Sequence, residues 1–144
     1  MTRYLLDVNV LIALIDPGHV QHDRAHDWFR AVGKKAWATC PLTENGVLRI
    51  VGHPRYPNSP GTPFAVAELF AVLRTLGGHE FWPDDVTLFD VRRIDRARLL
   101  DSGQVTGTYL LALAQAHRGK FATFDRHLVT DAVRGGAQTL LLIA

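Results

Sequence analysis

The stretch Tyr4-Leu5-Leu6-Asp7-Val8-Asn9-Val10-Leu11-Ile12-Ala13-Leu14 decides how the chain is read. Its first residues form a short apolar run of the kind that makes a buried strand. Its second half is aliphatic enough to begin a helix, and at the joint stand two polar residues, Asp7 and Asn9. In open α/β sheets, ligands bind outside the carboxyl ends of the strands. Asp7 at the end of a first strand therefore points a carboxylate into a crevice, while Asn9 caps or lines the helix that follows. The competing reading, that Asp7 merely starts a turn, stays open on this stretch alone.

Working outward, the first helix runs from about Asn9 to Asp16-Pro17-Gly18, which break helices well. A second, roughly His22 to Val32, spaces Ala25, Trp28, Phe29 and Val32 on one face and ends at Gly33. His22 and His26 are four apart there, a spacing that can ligate a metal but lacks a third ligand nearby. Ala36–Thr39 reads as a strand, and a helix starting at Pro41–Thr43 carries Glu44 in its first turn, where the helix dipole favours an acid. The Pro- and Gly-rich span 52–63 is a surface loop, and Pro63 opens an apolar helix that Gly77-Gly78 stop. Val86–Phe89 is expected as the next strand, followed by a solvated, arginine-rich helix around Arg92 to Arg98. Thr106 is expected to cap a helix through Leu113 and Ala114. Lys120–Phe124 then forms a strand that delivers Asp125 as the first delivers Asp7. A short helix near Leu128–Val133 and a strand Thr139–Ile143 complete an order that implies a parallel sheet with helices on both faces.

The bulk properties narrow the class. A chain of 144 residues fits one domain, spanning 1–144, and 47% hydrophobic with 21% charged residues is ordinary for a globular protein. A net charge of +2 permits a polyanionic partner without demonstrating one. Cys40 stands alone, so no internal disulfide forms, and the expected compartment is a reducing cytoplasm. No apolar run reaches the roughly 18 residues of a membrane span, so no membrane partner is expected.

Asp7 and Asp125 end strands and Glu44 begins a helix after another, so the topology can gather all three at one edge. Unpaired, two carboxylates about 4 Å apart repel by about 4 kcal/mol at an effective dielectric of about 20. A hard divalent cation reverses that sign, and Mg2+ or Mn2+ takes oxygen ligands while keeping waters and engaging phosphates. With these residues the chain resembles the PIN domain ribonucleases, and within them the VapC toxins of bacterial toxin–antitoxin pairs. The matching pieces are LLDVNVLIAL, the acid in PLTENGVLRIV, the segment VTGTYLLALAQAHRGKFATFDRHL and the final hydrophobic strand.

The resemblance implies a PIN-like three-layer α/β/α fold with a central, mostly parallel sheet. It assigns Asp7, Glu44 and Asp125 to an acidic site for Mg2+ or Mn2+, with Asn9 as its polar support and Thr123 facing it. It implies endoribonuclease action on structured RNA, tRNA or rRNA, leaving a 3′-hydroxyl and a 5′-phosphate. It also implies a homodimer neutralised by a VapB-like antitoxin. Arg55, Tyr56, Arg92, Arg93 and Arg96 are candidate contacts to RNA backbone or bases. One departure bears on activity: the family has an acid after the Thr of the VT pair, where this chain has Gly107. Glycine offers no ligand oxygen, so weak metal binding and little or no hydrolysis are expected. Two alternatives follow. One is a PIN-like module that binds RNA or antitoxin without chemistry. The other is a haloacid-dehalogenase-like phosphatase, whose motif expects a second Asp where Asn9 stands and a late acidic pair that Asp84-Asp85 imitate.

Overall fold

In the computed structural model, which describes residues Met1–Ala144, β1 (Tyr4–Leu6) leads into α1 (Val8–Ile15) and α2 (His22–Ala31). β2 (Trp37–Thr39) is followed by α3 (Pro41–Val51), α4 (Pro63–Arg74) and β3 (His79–Phe81). A long irregular stretch then reaches α5 (Val105–Ala116), β4 (Lys120–Thr123) and β5 (Leu140–Leu142). The sheet order is β3-β2-β1-β4-β5, and every pairing is parallel. The chain builds outward from β1 to one side and then crosses to β4 on the other. The strand order therefore reverses between β1 and β4, the place where such sheets open a crevice at their carboxyl ends.

Period-2 alternation sorts the strands' side chains into two cores. Leu6, Trp37 and Ala122 face a layer made by α1, α2, α3 and α4, where Val10, Leu11, Phe29, Val47 and Phe70 pack. Leu5, Ala38 and Phe121 face the other layer, where α5 contributes Leu110, Leu111 and Leu113. The result is the expected three-layer α/β/α arrangement. Val10 through Leu14 of α1 are buried, so its apolar face is used up by the core. His22 and His26 bond through ring nitrogens to the carbonyls of Ala13 (2.7 Å) and Leu14 (2.8 Å), which satisfies the end of α1 and occupies the two imidazoles.

Four local expectations are corrected. The strand after α4 is His79–Phe81, not Val86–Phe89: it lies at the sheet edge in register with β2, so its polar, largely exposed residues carry no apolar signal. Val86 and Leu88 instead pack as irregular chain against the α5-side core. The arginine-rich run forms only a 3-10 turn at Arg96–Arg98, begun by Asp95, whose carboxylate accepts from the Ala97 amide at 3.2 Å. No helix forms near Leu128–Val133, because Val133 pairs with Ile94 in an isolated antiparallel bridge and the Ala132 carbonyl accepts from the Asp95 amide at 2.8 Å. Finally, Thr106 does not cap α5. A 3-10 turn at Ser102–Gln104, closed by Asp101 on the Gly103 amide and Gln104 on the Asp101 amide, makes Gln104 the cap.

The approach of α3 to α1 positions the crevice. A Cβ at Gly46 would lie 2.8 Å from Cγ2 of Val8, the first residue of α1. Valine is stiff at χ1 in a helix, so it cannot swing aside cheaply. Gly46→Ala is expected to lose about 1 kcal/mol net in urea denaturation, the overpacking cost outweighing alanine's helix propensity. In a Val8→Ala background the same change is expected to become neutral or stabilising, and equal effects in both backgrounds would contradict the contact.

Candidate active site

Asp7 stands where β1 becomes α1. Its amide donates to the Ala122 carbonyl at 2.9 Å, continuing the ladder with β4, while its side chain caps the helix by accepting from the Val8 amide at 2.7 Å. The other carboxylate oxygen accepts from the Thr123 hydroxyl at 2.7 Å. Thr123, fully buried at the end of β4, accepts in turn from the Asn9 side-chain amide at 3.3 Å and from the Asp125 backbone amide at 3.0 Å. One hydroxyl thus uses its donor and both acceptor positions. Asn9 does not cap α1, which is Asp7's role. It lines the joint, reaching across to β4 and also accepting from the Phe124 amide at 3.4 Å. Asp125 is exposed and bends the chain by accepting from the His127 amide at 2.9 Å.

These four residues form one network, with two carboxylates in it. Loss of solvent pushes the half-buried Asp7 carboxyl up from the ordinary carboxylate range, and the charge of Asp125 adds to that. The bonds from Thr123 and Val8 oppose the rise without cancelling it. Neither acid has a Lys, Arg or His partner.

Glu44 is not brought into this network. Its carboxylate accepts from the Thr39 hydroxyl at 2.7 Å and pairs with Arg74 of α4 at 3.3 Å. His79 joins on the same side, with its ring Nε2 2.7 Å from the Thr39 oxygen. The expected trio of acids is therefore a pair, and no three His, Cys, Asp or Glu side chains converge on a metal position. The cause is helical phase. The α3 face turned to Asp7 carries Asn45, Gly46 and Arg49, whereas Glu44 falls on the face toward α4.

With Thr106 from α5, those residues wall a cleft of about 410 Å³ beside Asp7. Position 107 lies in the first turn of α5, as expected, and a Cβ there would come 2.4 Å from Cδ1 of Leu128, in the turn after Asp125. An apolar side chain thus fills the space that an acid at 107 would enter. Asn45 and Arg49 carry no site signal in the sequence, and Thr106 is read there only as a helix cap. The only trace of the first two is that, four apart, they flank a small residue on one face of α3.

The basic candidates lie elsewhere. Tyr56 turns its hydroxyl inward to the buried Asp16, with Asn58 and the Gly18 amide on the same carboxylate. Burial pushes the Asp16 carboxyl up, but those bonds together outweigh it and hold the group below its ordinary value. Tyr56 is thus an anchor for its loop, and Arg55 beside it is exposed and lines no cleft with Asp7. Arg93 bonds to Gln115 at 2.8 Å, and it shares a separate hollow with Arg92 and Asp90. Arg96 lies over the Phe89 ring, 5.3 Å from its centroid. The acids at 84 and 85 are also occupied: Asp84 accepts from Tyr109 at 3.0 Å and from the Leu42 amide at 3.2 Å, and Asp85 lies 2.9 Å from His117.

Two outcomes test these assignments. A carboxyl whose folded-state pKa is raised binds protons more tightly folded than unfolded, so its contribution to stability falls as pH rises between the two values. Asp7→Asn is therefore expected to melt above the parent at neutral pH, in chelator. The gap should shrink as acidification protonates Asp7; a gap that widens in acid would contradict this. Tyr56→Phe is expected to lower stability by about 1–3 kcal/mol in urea, because it withdraws a donor from a buried charge.

Comparison with known proteins accords with this geometry. The PIN domain family matches residues 4–131. Ribonuclease VapC44 of Mycobacterium tuberculosis is 45% identical over 136 residues, covering 94% of this chain and 95% of that protein. Ribonuclease VapC39 of the same organism is 42% identical over 137 residues, covering 94% and 98%. Among solved structures, VapBC2 from Rickettsia felis bound to a promoter DNA fragment aligns with a TM-score of 0.59 at 13% identity, over 86% of this chain and 89% of that one. VapC20 of Mycobacterium tuberculosis, described as a sarcin-ricin loop cleaving toxin, gives 0.59 at 10% identity, over 84% and 87%. The haloacid-dehalogenase alternative is set aside on the family match, and Asp84 and Asp85 are already engaged away from Asp7. By its fold and by its sequence, the chain belongs to the PIN domain family and within it to the VapC ribonucleases.

Proposed function

We propose that this chain is a VapC-type toxin built for Mg2+- or Mn2+-dependent endoribonuclease action on structured RNA, tRNA or rRNA, and impaired by Gly107. The observation that carries the reading is the Asp7–Asp125 pair at the β1/β4 reversal, two neighbouring carboxylates with no cationic partner. Such a pair costs stability when empty and suits a hard cation. Mg2+ is commonly held by one or two carboxylates, with waters and phosphate oxygens completing its shell. Asp7 and Asp125 are the residues that would hold it, and they fit that donor set.

A bound divalent ion would supply an acidified water and a counter-charge for the phosphate. The chain's own residues do the positioning. Thr123 and Val8 fix the Asp7 carboxylate from two sides, and Asn9 fixes Thr123. Asp125, exposed at the rim, is placed to orient a water or take its proton. Glu44, paired with Arg74, contributes only if that pair opens. At 107 the missing carboxylate and the Leu128 side chain together support impaired metal binding.

A VapB-like antitoxin is the proposed partner, supported by the names of the relatives and by the VapBC2 neighbour. Phe64 and Val72 of α4, with Leu76 just past its end, are left in solvent and support a protein-binding surface for the antitoxin or for a homodimer. No helix is long and apolar enough to cross a membrane, and the proposed setting is the cytoplasm. The second reading, a PIN domain that binds RNA or antitoxin without cleaving, is favoured specifically by Leu128 filling the space beside Gly107.

The deciding comparison is the parent chain against Gly107→Asp on total RNA with Mg2+ or Mn2+. Gly107→Asp is expected to gain chelator-sensitive cleavage of about a hundredfold or more. Adding Leu128→Ala, which clears the contact, should raise it further, and Asp7→Asn should abolish it. No cleavage by Gly107→Asp or by the double variant, alongside tight RNA or antitoxin binding, would establish the non-catalytic reading.

A further inference from the structure

The wall of the Asp7 cleft contributed by α3 holds a cation that the proposed reaction leaves unused. Leu42, Asn45, Gly46, Arg49 and Ile50 follow the spacing of one helical face, and all of them line this cleft. Gly46 lets that face settle against Val8, so the residues on either side of it stand next to the end of β1. Arg49 lies one turn beyond Asn45. It is exposed, belongs to no ion pair and makes no side-chain hydrogen bond.

Most other arginines are spoken for. Arg3, Arg30, Arg74, Arg92 and Arg98 pair with acids, while Arg24, Arg93 and Arg134 bond to carbonyl or amide oxygens. Among the arginines free of such bonds, Arg49 alone lines the cleft beside Asp7. Arg49 makes no ion pair with Asp7, so it is not serving as that carboxylate's counter-ion.

An RNA strand entering this cleft meets the Asp7 carboxylate, with Asp125 joined to it through Thr123, and these charges repel its phosphates. Binding there needs a positive group on the facing wall, at a height that leaves the carboxylates free. We propose that Arg49, with Asn45 a turn before it, grips an RNA backbone phosphate beside the bond presented to the Asp7–Asp125 pair. A guanidinium can take two phosphate oxygens at once, and the Asn45 amide adds a neutral donor. Arg49 is then a substrate-positioning residue, and the α3 wall, not the distant arginine-rich run, sets the register of RNA in the site. The proposal rests on the nuclease reading above.

The test is binding without turnover. Fluorescein-labelled bulk tRNA and ribosomal RNA are titrated with the full chain in EDTA over a potassium chloride series. Arg49→Gln is expected to weaken binding about five- to tenfold at low salt and to flatten the slope of log Kd against log salt by about 0.7–0.9. Arg49→Lys should keep the slope while recovering only part of the affinity, since charge is retained but the two-pronged contact is lost. Arg30→Gln, whose guanidinium is paired with Asp27 on α2, should change neither. The proposal is overturned if Arg49→Gln matches the parent in affinity and slope, or if the parent binds neither RNA. Cleavage by Gly107→Asp, run in parallel, reports on the nuclease reading independently, so failure of one is seen apart from failure of the other.

Discussion

The hydroxyl of Thr123 is the point on which the site depends. It is fully buried at the end of β4, and it joins the carboxylate that ends β1, the amide of Asn9 in α1 and the amide that opens the turn at Asp125. A buried hydroxyl with all its positions used holds its partners to a single geometry, since any displacement leaves a polar atom unpaired where water cannot replace it. The parallel pairing of β1 with β4, in register from Tyr4–Lys120 to Leu6–Ala122, delivers the donors to that hydroxyl. The two acids therefore owe their proximity to the backbone ladder and to one threonine, not to attraction between themselves, which is absent.

This division of labour explains how much was legible in the sequence. Strand ends leave a plain signature: LLD and FATFD each run apolar residues into an acid, so Asp7, Asp125 and the Thr two places before the latter could be found. The buried strands were legible for the same reason. The edge strand was not, because His79-Glu80-Phe81 gains its pairing from β2 and has little to bury. The stretch 128–133 is held by an isolated bridge and scattered backbone bonds, which leave no periodic trace. Glu44 illustrates a finer limit. Its place just inside α3 is legible, but which way it turns depends on about a hundred degrees of helical phase and on the availability of Arg74, a residue thirty positions away in the chain.

Gly46 and Gly107 show opposite uses of the smallest residue. At 46 the missing side chain lets two helices approach, and the cleft wall is built on that approach. At 107 the missing side chain has been covered by Leu128, so the backbone there is ordinary helix and the change is chemical, not architectural. The one neighbour a side chain at 107 would meet is Leu128, a half-buried residue packed on the α5-side core, and its flexible end is all that has to adjust.

The pairing of Glu44 with Arg74 has a consequence for long-range encounter. Because their charges largely cancel at a distance, the charged groups lining the cleft are Asp7 and Arg49, one of each sign, which leaves only a small remainder at its mouth. Beyond about 8 Å at physiological ionic strength such a remainder is screened. A polyanion can therefore diffuse to the rim almost unopposed, and discrimination among its phosphates begins only on contact.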